Sequence, residues 1–471
     1  MIKFLHTADL HIGKVFHEQS LCEDQAAVLD QLACLLKDDS YSALVIAGDV
    51  YDRSIPSPDA VEILGAFLGK VKRANPSLEI FIIPGNHDSA VRLGFGRELF
   101  AALGVRLGVT AADCDKPVII EKNGERCAFF LLPFLNPGVL QPEACDEEIF
   151  SQAHEPLRSQ SALAAEAGRR MEKALRALAA QGVSRAVLAA HVFASGGAES
   201  GGERVFLGSA ELVNLSLFPG FDYIALGHLH RCQRVGENAW YSGSPLVYSF
   251  GEVQSAEQAL AEQALAELDV AEGAAARKKS GEKFFLSVEL KDGGAEVEKI
   301  PVKPVRSALS FAGPFARFAG ELSADNAADR ELLAAKDDYL EIRLTDRGIV
   351  ENAQERLRKR FPRLLSLRQD DARAGLSSGL ATVFAAARHR ERRSLAADFK
   401  DFLASLYGET DESGGSGGAN GAGSVGYTQE EIALFEALLA EAEGEQNESL
   451  DCKSRDLQSL DLQSREGGVL F

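Results

Sequence analysis

The chain has 471 residues, enough for about three domains at ~150 residues each. Apolar residues make up 46% and charged residues 25%, the balance of a globular chain and not of a disordered or collagen-like one. With 50 basic against 70 acidic residues, the net charge of −20 argues against a chain that binds nucleic acid or anionic membrane by bulk positive charge.

No apolar run approaches the ~18 residues of a membrane-spanning helix. His6, Asp9 and His11 stand where a signal peptide would be apolar. Seven scattered cysteines, with no Cys-x-x-Cys pair, point to a reducing, cytoplasmic setting.

In chain order, residues 1–252 alternate apolar runs with helical stripes. Leu21, Val28, Leu29, Leu32, Leu35 and Leu36 form the first stripe. The run Leu44–Ala47 predicts a buried strand. Ser57-Pro58 predicts a helix start, followed by Val61, Leu64, Phe67, Leu68 and Val71 at helical spacing, and Ile80–Ile83 predicts a second buried strand. This alternation predicts a layered α/β domain. Residues 253–283, with EQALAEQALAE, read as an inserted helical, low-complexity segment. Residues 284–375 return to strand signals, with Asp292-Gly293-Gly294 as a hairpin turn, and predict a second, smaller α/β domain. Residues 376–445 hold two amphipathic helices around a Gly-rich linker at 409–426, and 446–471 read as a disordered tail.

Five segments in the first domain share one design, an apolar run that ends abruptly in potential metal ligands. They are Leu5-His6-Thr7-Ala8-Asp9-Leu10-His11, Ile46-Ala47-Gly48-Asp49, Pro84-Gly85-Asn86-His87-Asp88, Ala189-Ala190-His191 and Leu226-Gly227-His228-Leu229-His230. Ligands of α/β sheets bind beyond the carboxyl ends of strands, so five such ends would meet in one crevice. Carboxylate and amide oxygens mixed with imidazole suit Mn²⁺, Fe²⁺ or Zn²⁺ better than Ca²⁺ or Mg²⁺ alone. Gly48, Gly85 and Gly227 are expected to allow tight turns there. Two ions ~3.5–4 Å apart would suit in-line displacement at phosphorus.

The order D-x-H, G-D-x-x-D, G-N-H-D, H, G-H-x-H resembles that of the calcineurin-like metallophosphoesterases. The segments TADLHIGK, AGDVYDR, PGNHDS, ALGHLHRCQ and YSGSPLVYSFGE are similar to the SbcD family of nuclease subunits. The resemblance covers 1–252 best, weakens over 284–375 and is slight beyond. It implies a β-sandwich flanked by helices, a smaller α/β capping domain and C-terminal helices that dock on a partner. It also implies a Mn-dependent double-strand exonuclease and hairpin or single-strand endonuclease, acting with the ATPase SbcC as a homodimer within a heterotetramer in DNA end processing, recombination and replication. Carried over by position, Asp9, His11 and His230 would hold one ion, and Asn86, His191 and His228 the other. Asp49 would bridge both, and His87 would contact the scissile phosphate. Asp52 and Asp88 would orient imidazoles; for Asp88, capping a turn is the alternative. His6 faces away from Asp9 by strand parity and reads as a core residue or a support behind the ligands, not a ligand, and Cys232 as a bystander.

Between 355 and 393 the chain holds 11 basic and four acidic residues, a local balance of +7. Arg356, Arg358, Lys359, Arg360 and Arg363 are the candidate DNA contacts; a solvated helix face and an acidic patch on SbcC are the alternatives. A small-molecule phosphodiesterase and a non-catalytic SbcC scaffold are the competing functions.

Overall fold

A computed structural model describes residues 2–141, 157–198, 212–253, 277–279, 282–346, 348 and 350–369. It opens with β1 (Lys3–Thr7), the small hairpin β2 (Val15–Phe16) and β3 (Gln19–Ser20), and α1 (Cys22–Leu35). Next come β4 (Tyr41–Ala47), α2 (Pro58–Ala74), β5 (Glu79–Ile83), α3 (Ala90–Leu93), α4 (Arg97–Ala102) and β6 (Val105–Leu107). The second half of the sandwich brings β7 (Val118–Lys122), β8 (Glu125–Leu132), α5 (Gln160–Ala179), β9 (Arg185–His191), β10 (Tyr223–Gly227), β11 (Gln233–Val235) and β12 (Ala239–Tyr241). After these lie β13 (Arg277–Lys279), β14 (Phe284–Lys291), β15 (Gly294–Pro301), β16 (Ala308–Gly313), β17 (Tyr339–Leu344) and β18 (Leu364–Gln369).

Two six-stranded sheets, ordered β15-β14-β1-β4-β5-β6 and β11-β12-β10-β9-β8-β7, pack face to face. Strand parity builds the layers. In β4, Ala43, Val45 and Ala47 enter the core between the sheets, while Leu44 and Ile46 face α1 and α2 on the outside. The other sheet does the same with α5, so helices flank a β-sandwich on both sides, the predicted fold class. Helix α2 starts as expected: the Ser57 hydroxyl accepts from Ala60 N–H and Pro58 follows. Its buried stripe is Leu64, Phe67 and Val71; Val61, counted in the stripe by spacing, faces solvent.

Two expectations need correction. Hairpin β14–β15, assigned by sequence to the smaller domain, extends the first sheet. β14 pairs antiparallel with β1 (Phe4 opposite Val288) and buries Leu286, Val288 and Leu290 in the central core. Apart from β13, the strands of the second α/β region lie after Pro301. Its sheet, β13-β16-β17-β18, packs one apolar face (Leu309, Phe311, Leu340, Ile342) under short helices at Phe315–Ala319, Ala327–Ala334 and Ala353–Arg358. The expected insert also gives part of itself to that sheet, because β13 pairs antiparallel with β16. The predicted C-terminal helices, linker and tail lie outside the described residues.

The sandwich centre is an aromatic stack. Phe129 lies parallel to Phe81 at 4.6 Å and edge-on to Phe4 at 5.5 Å, joining both sheets. Phe129→Ala is expected to cost about 3–5 kcal/mol, read as a lower urea midpoint at unchanged slope.

Candidate metal centre

Strands β1, β4 and β5 run parallel in one sheet, and β9 and β10 run parallel in the other. Their carboxyl ends therefore share an edge, and the polar residues that follow them meet between the sheets. Glycine makes the meeting possible, though not in one way. Gly48 has φ +94°, a turn conformation that favours glycine. Gly85 and Gly227 are needed for close approach instead: a Cβ at Gly227 would sit 1.8 Å from the Ala47 carbonyl oxygen, and one at Gly85 would sit 2.1 Å from Asp49 Oδ1. Four residues with side chains in the cluster hold positive φ without being glycine: Asp9, His11, Asp49 and His228. Such strain persists where surrounding structure over-determines it, and it gathers at functional sites.

All seven expected ligands lie in this cluster. His11 Nε2 is 3.1 Å from His230 Nε2, and Asp9 groups with both. Asn86 Oδ1 is 3.0 Å from His191 Nε2 and 3.2 Å from His228 Nδ1. A single atom, Asp49 Oδ2, lies 3.6 Å from His11 Nε2 and 3.5 Å from His191 Nε2, between the two trios. Asp9 accepts the His228 backbone N–H at 2.9 Å.

The donors fit divalent ions. His191 Nδ1 donates to the Ala47 carbonyl at 2.9 Å, and His230 Nδ1 donates to Glu252 Oε1 at 3.2 Å. Each ring thus has its Nδ1 proton engaged elsewhere and presents Nε2 to the cluster, as a metal ligand does. Burial raises Asp9 to about 7, against the pull of His191 and His230. Burial would lower His191, but the Asp49 carboxylate outweighs it and lifts the ring to about 9. Burial likewise opposes ionisation of Asp49, yet His191 and His11 hold it well below the carboxylate range. His11 is driven down by burial and stays neutral.

The remaining candidates are placed as follows. His87 Nδ1 donates to the Asp52 carbonyl at 2.9 Å, and its ring lies 4.7 Å from that of His11. The Asp52 carboxylate takes Lys14 Nζ at 2.8 Å and stands 3.6 Å from His11 Nδ1, so it steadies His87 through its backbone and not its side chain. Asp88 orients no imidazole. Its oxygens accept the backbone N–H groups of Val50, Tyr51 and Gly85, tying two ligand loops together, so the turn-capping alternative describes it. His6 is buried as expected, with Nδ1 at 3.0 Å from the Tyr223 hydroxyl. Among the basic candidates, Arg358 and Arg360 donate to carbonyls of their own domain, Arg356 lies over the Phe315 ring, Arg363 stands 3.6 Å from Asp337, and Lys359 pairs with Glu355 on the surface. Sequence reasoning missed Glu252, Lys14 and Gln25. Gln25 Nε2 donates to the His11 carbonyl at 2.7 Å. Nothing in the spacing of these three marks them, because each acts across a long sequence separation.

This arrangement could hold divalent ions, and the sequence over the same region matches a known family. Residues 2–232 match the family described as calcineurin-like phosphoesterase, and residues 307–406 match the one described as type 5 capsule protein repressor C-terminal domain. Residues 2–232 are thus a calcineurin-like phosphoesterase domain, which makes the chain a metal-dependent phosphoester hydrolase. Within that superfamily it is of the SbcD type. Among solved structures it is similar to TT1561 of Thermus thermophilus, at 12% identity over 63% of this chain and 98% of that one, with a TM-score of 0.32. It is also similar to the calcineurin-like phosphoesterase YfkN from Bacillus subtilis, at 13% identity over 64% and 90%, with a TM-score of 0.33.

Metal ligands must be deprotonated. With His191 at about 9 and Asp9 at about 7, divalent-ion binding at neutral pH is expected to release protons, and affinity to fall as pH drops. Calorimetric Mn²⁺ titration in buffers of unequal ionisation enthalpy measures the release; a value of zero would remove both residues from the ligand set.

Proposed function

We propose that this chain is the nuclease subunit of an SbcC–SbcD type complex, a Mn-dependent enzyme that degrades duplex DNA ends and opens hairpins in end processing, recombination and replication. One observation carries the reading: a cluster of seven candidate ligands on the sandwich edge stands in the same chain as a C-terminal region of the SbcD type. In this reading Asp9, His11 and His230 would hold one ion, Asn86, His191 and His228 the other, and Asp49 would serve both. Bound there, the ions would activate a water and neutralise charge on the phosphodiester.

The chain's own residues supply position and a proton. Strands from both sheets set the ligands before substrate arrives, so no reorganisation falls on the chemical step. His87 keeps its Nδ1 proton on the Asp52 carbonyl, so Nε2 is the nitrogen that gains or loses a proton beside the phosphate. The in-domain contacts of Arg358 and Arg360 favour a structural role for the basic helix, and the stretch from 370 to 393 lies outside the described residues. Among the described residues no helix is long and apolar enough to cross a membrane. A homodimer is supported by Val91, Phe95, Leu99 and Leu103, which recur every fourth residue and are 87%, 84%, 77% and 63% exposed. Exposed apolar side chains gathered in one short segment are the kind of surface that interaction sites use.

Three outcomes are expected. Asp49→Ala abolishes Mn²⁺-dependent cleavage of hairpin DNA with SbcC and ATP, whereas cleavage of a chromogenic phosphodiester alone by the unaltered chain would point to a small-molecule enzyme. His87→Ala lowers turnover on the order of 10²–10⁴-fold while Mn²⁺ affinity stays within about twofold. Phe95→Asp with Leu99→Asp shifts the purified chain from dimer to monomer in light scattering, with hydrolysis of the small phosphodiester retained.

A further inference from the structure

Glu252 and Lys283 meet beside the metal cluster, 31 residues apart in sequence. Glu252 is buried, with Oε1 accepting from His230 Nδ1 at 3.2 Å and from Tyr248 N–H at 3.1 Å, and Oε2 accepting from Lys283 Nζ at 2.7 Å. The lysine is saturated as well. Its ammonium has three protons and three acceptors: Glu252, the Ser244 hydroxyl at 2.8 Å and the His230 backbone carbonyl at 3.0 Å. One ion pair thus grips a single residue twice, Glu252 by the ring and Lys283 by the backbone. The histidine and the lysine that holds its carbonyl come from opposite halves of the sandwich. His230 follows β10, whereas Lys283 precedes β14, which pairs with β1, the strand that leads to Asp9 and His11. The Lys283 carbonyl accepts the Val302 N–H, which fixes the lysine at the base of its hairpin.

We propose that Glu252 and Lys283 are positioning residues, a clasp across the two sheets that sets the ring and backbone of His230 for the ion it shares with Asp9 and His11. This rests on the ligand assignment above. A buried ion pair adds little net stability over apolar residues of the same volume. What this pair supplies, and an apolar pair would not, is an acceptor for Nδ1–H and a donor for the backbone carbonyl. Partners of this kind fix a ligating imidazole's tautomer and orientation, and their loss typically costs about 10–100-fold in metal affinity.

The test is Mn²⁺ titration by calorimetry on the full chain and on Glu252→Ala, Glu252→Gln, Lys283→Met and His230→Ala, with circular dichroism and thermal melts establishing that each is folded. Two binding events are expected for the unaltered chain. Glu252→Ala and Lys283→Met should each weaken one event by about 10–100-fold, the same event that His230→Ala removes, and leave the other unchanged. Glu252→Gln keeps an acceptor for Nδ1–H and should lie between. Combining Glu252→Ala with Lys283→Met should add little to either alone. If His230→Ala alters one event and both clasp variants bind both ions normally, the clasp is overturned and the ligand assignment stands. If His230→Ala alters neither event, the assignment fails and the clasp with it. A purely structural pair would lower the melting temperature of the metal-free chain and leave both affinities intact, which also overturns the proposal.

Discussion

The contact on which the site depends is the approach of Gly227 to the Ala47 carbonyl, where one sheet of the sandwich closes on the other. A methyl group there would lie 1.8 Å from the carbonyl oxygen. Elsewhere the sheets are held apart by side chains such as Phe4, Phe81, Phe129 and Tyr223. Sheets packed face to face normally stand ~10 Å apart. At this edge the side chains stop and main chain meets main chain. The His191 ring then donates to the Ala47 carbonyl, so a ligand from one sheet is oriented by the backbone of the other. A wider gap would leave each sheet with its own half of a ligand set and no shared centre.

Bringing the ligands this close carries a cost. Asp9 and Asp49 are both buried within one cluster, and like charges in low dielectric oppose double ionisation. Their surroundings split the two carboxyls, with burial raising Asp9 to about 7 and the histidines holding Asp49 low against its burial. Left-handed backbone at Asp9, His11, Asp49 and His228 adds strain on the order of 1–3 kcal/mol per residue. The surrounding structure offsets both. Asp88 fastens Val50, Tyr51 and Gly85 with one carboxylate, and Gln25 holds the His11 carbonyl. The polar groups around the site therefore act mainly on backbone, which is where the strain lies.

This division explains what the sequence disclosed. The ligands were legible because chemistry restricts them to a few residue types and because parallel strands expose their carboxyl ends at one edge; both facts are local. The layered α/β character followed from apolar periodicity for the same reason, whereas the β-sandwich was what the family resemblance implied. Hairpin β14–β15 was assigned to the wrong domain because its own alternation is the same whichever sheet it joins. Only the match of its buried face to β1, some 280 positions away, decides the matter. Asp88 reads as a partner for histidine because it adjoins one, yet its oxygens point at amides from an earlier loop. Gly85 and Gly227 read as turn residues, and what they provide is absent volume. In each case the deciding partner is distant in sequence and close in space.

Helix α1 joins these themes, since adjacent residues on it serve different masters. Gln25 donates to the carbonyls of Leu10 and His11. Asp24, one position earlier, accepts from Arg306 at 2.8 Å and from the Tyr339 hydroxyl at 2.8 Å, both beyond the sandwich. Neighbouring residues on a helix point about 100° apart, so one turn of α1 reaches the ligand loop on one side and the second domain on the other. Packing at the same seam is aromatic: Phe16 touches Phe250 at 4.8 Å and Tyr339 at 6.2 Å. Phe250 is two residues from Glu252, whose carboxylate holds His230. The second domain is thus fastened to the sandwich at the elements that hold His11 and His230. Because packed interiors transmit small shifts instead of absorbing them, the placement of that domain and the geometry of those two ligands form one mechanical problem.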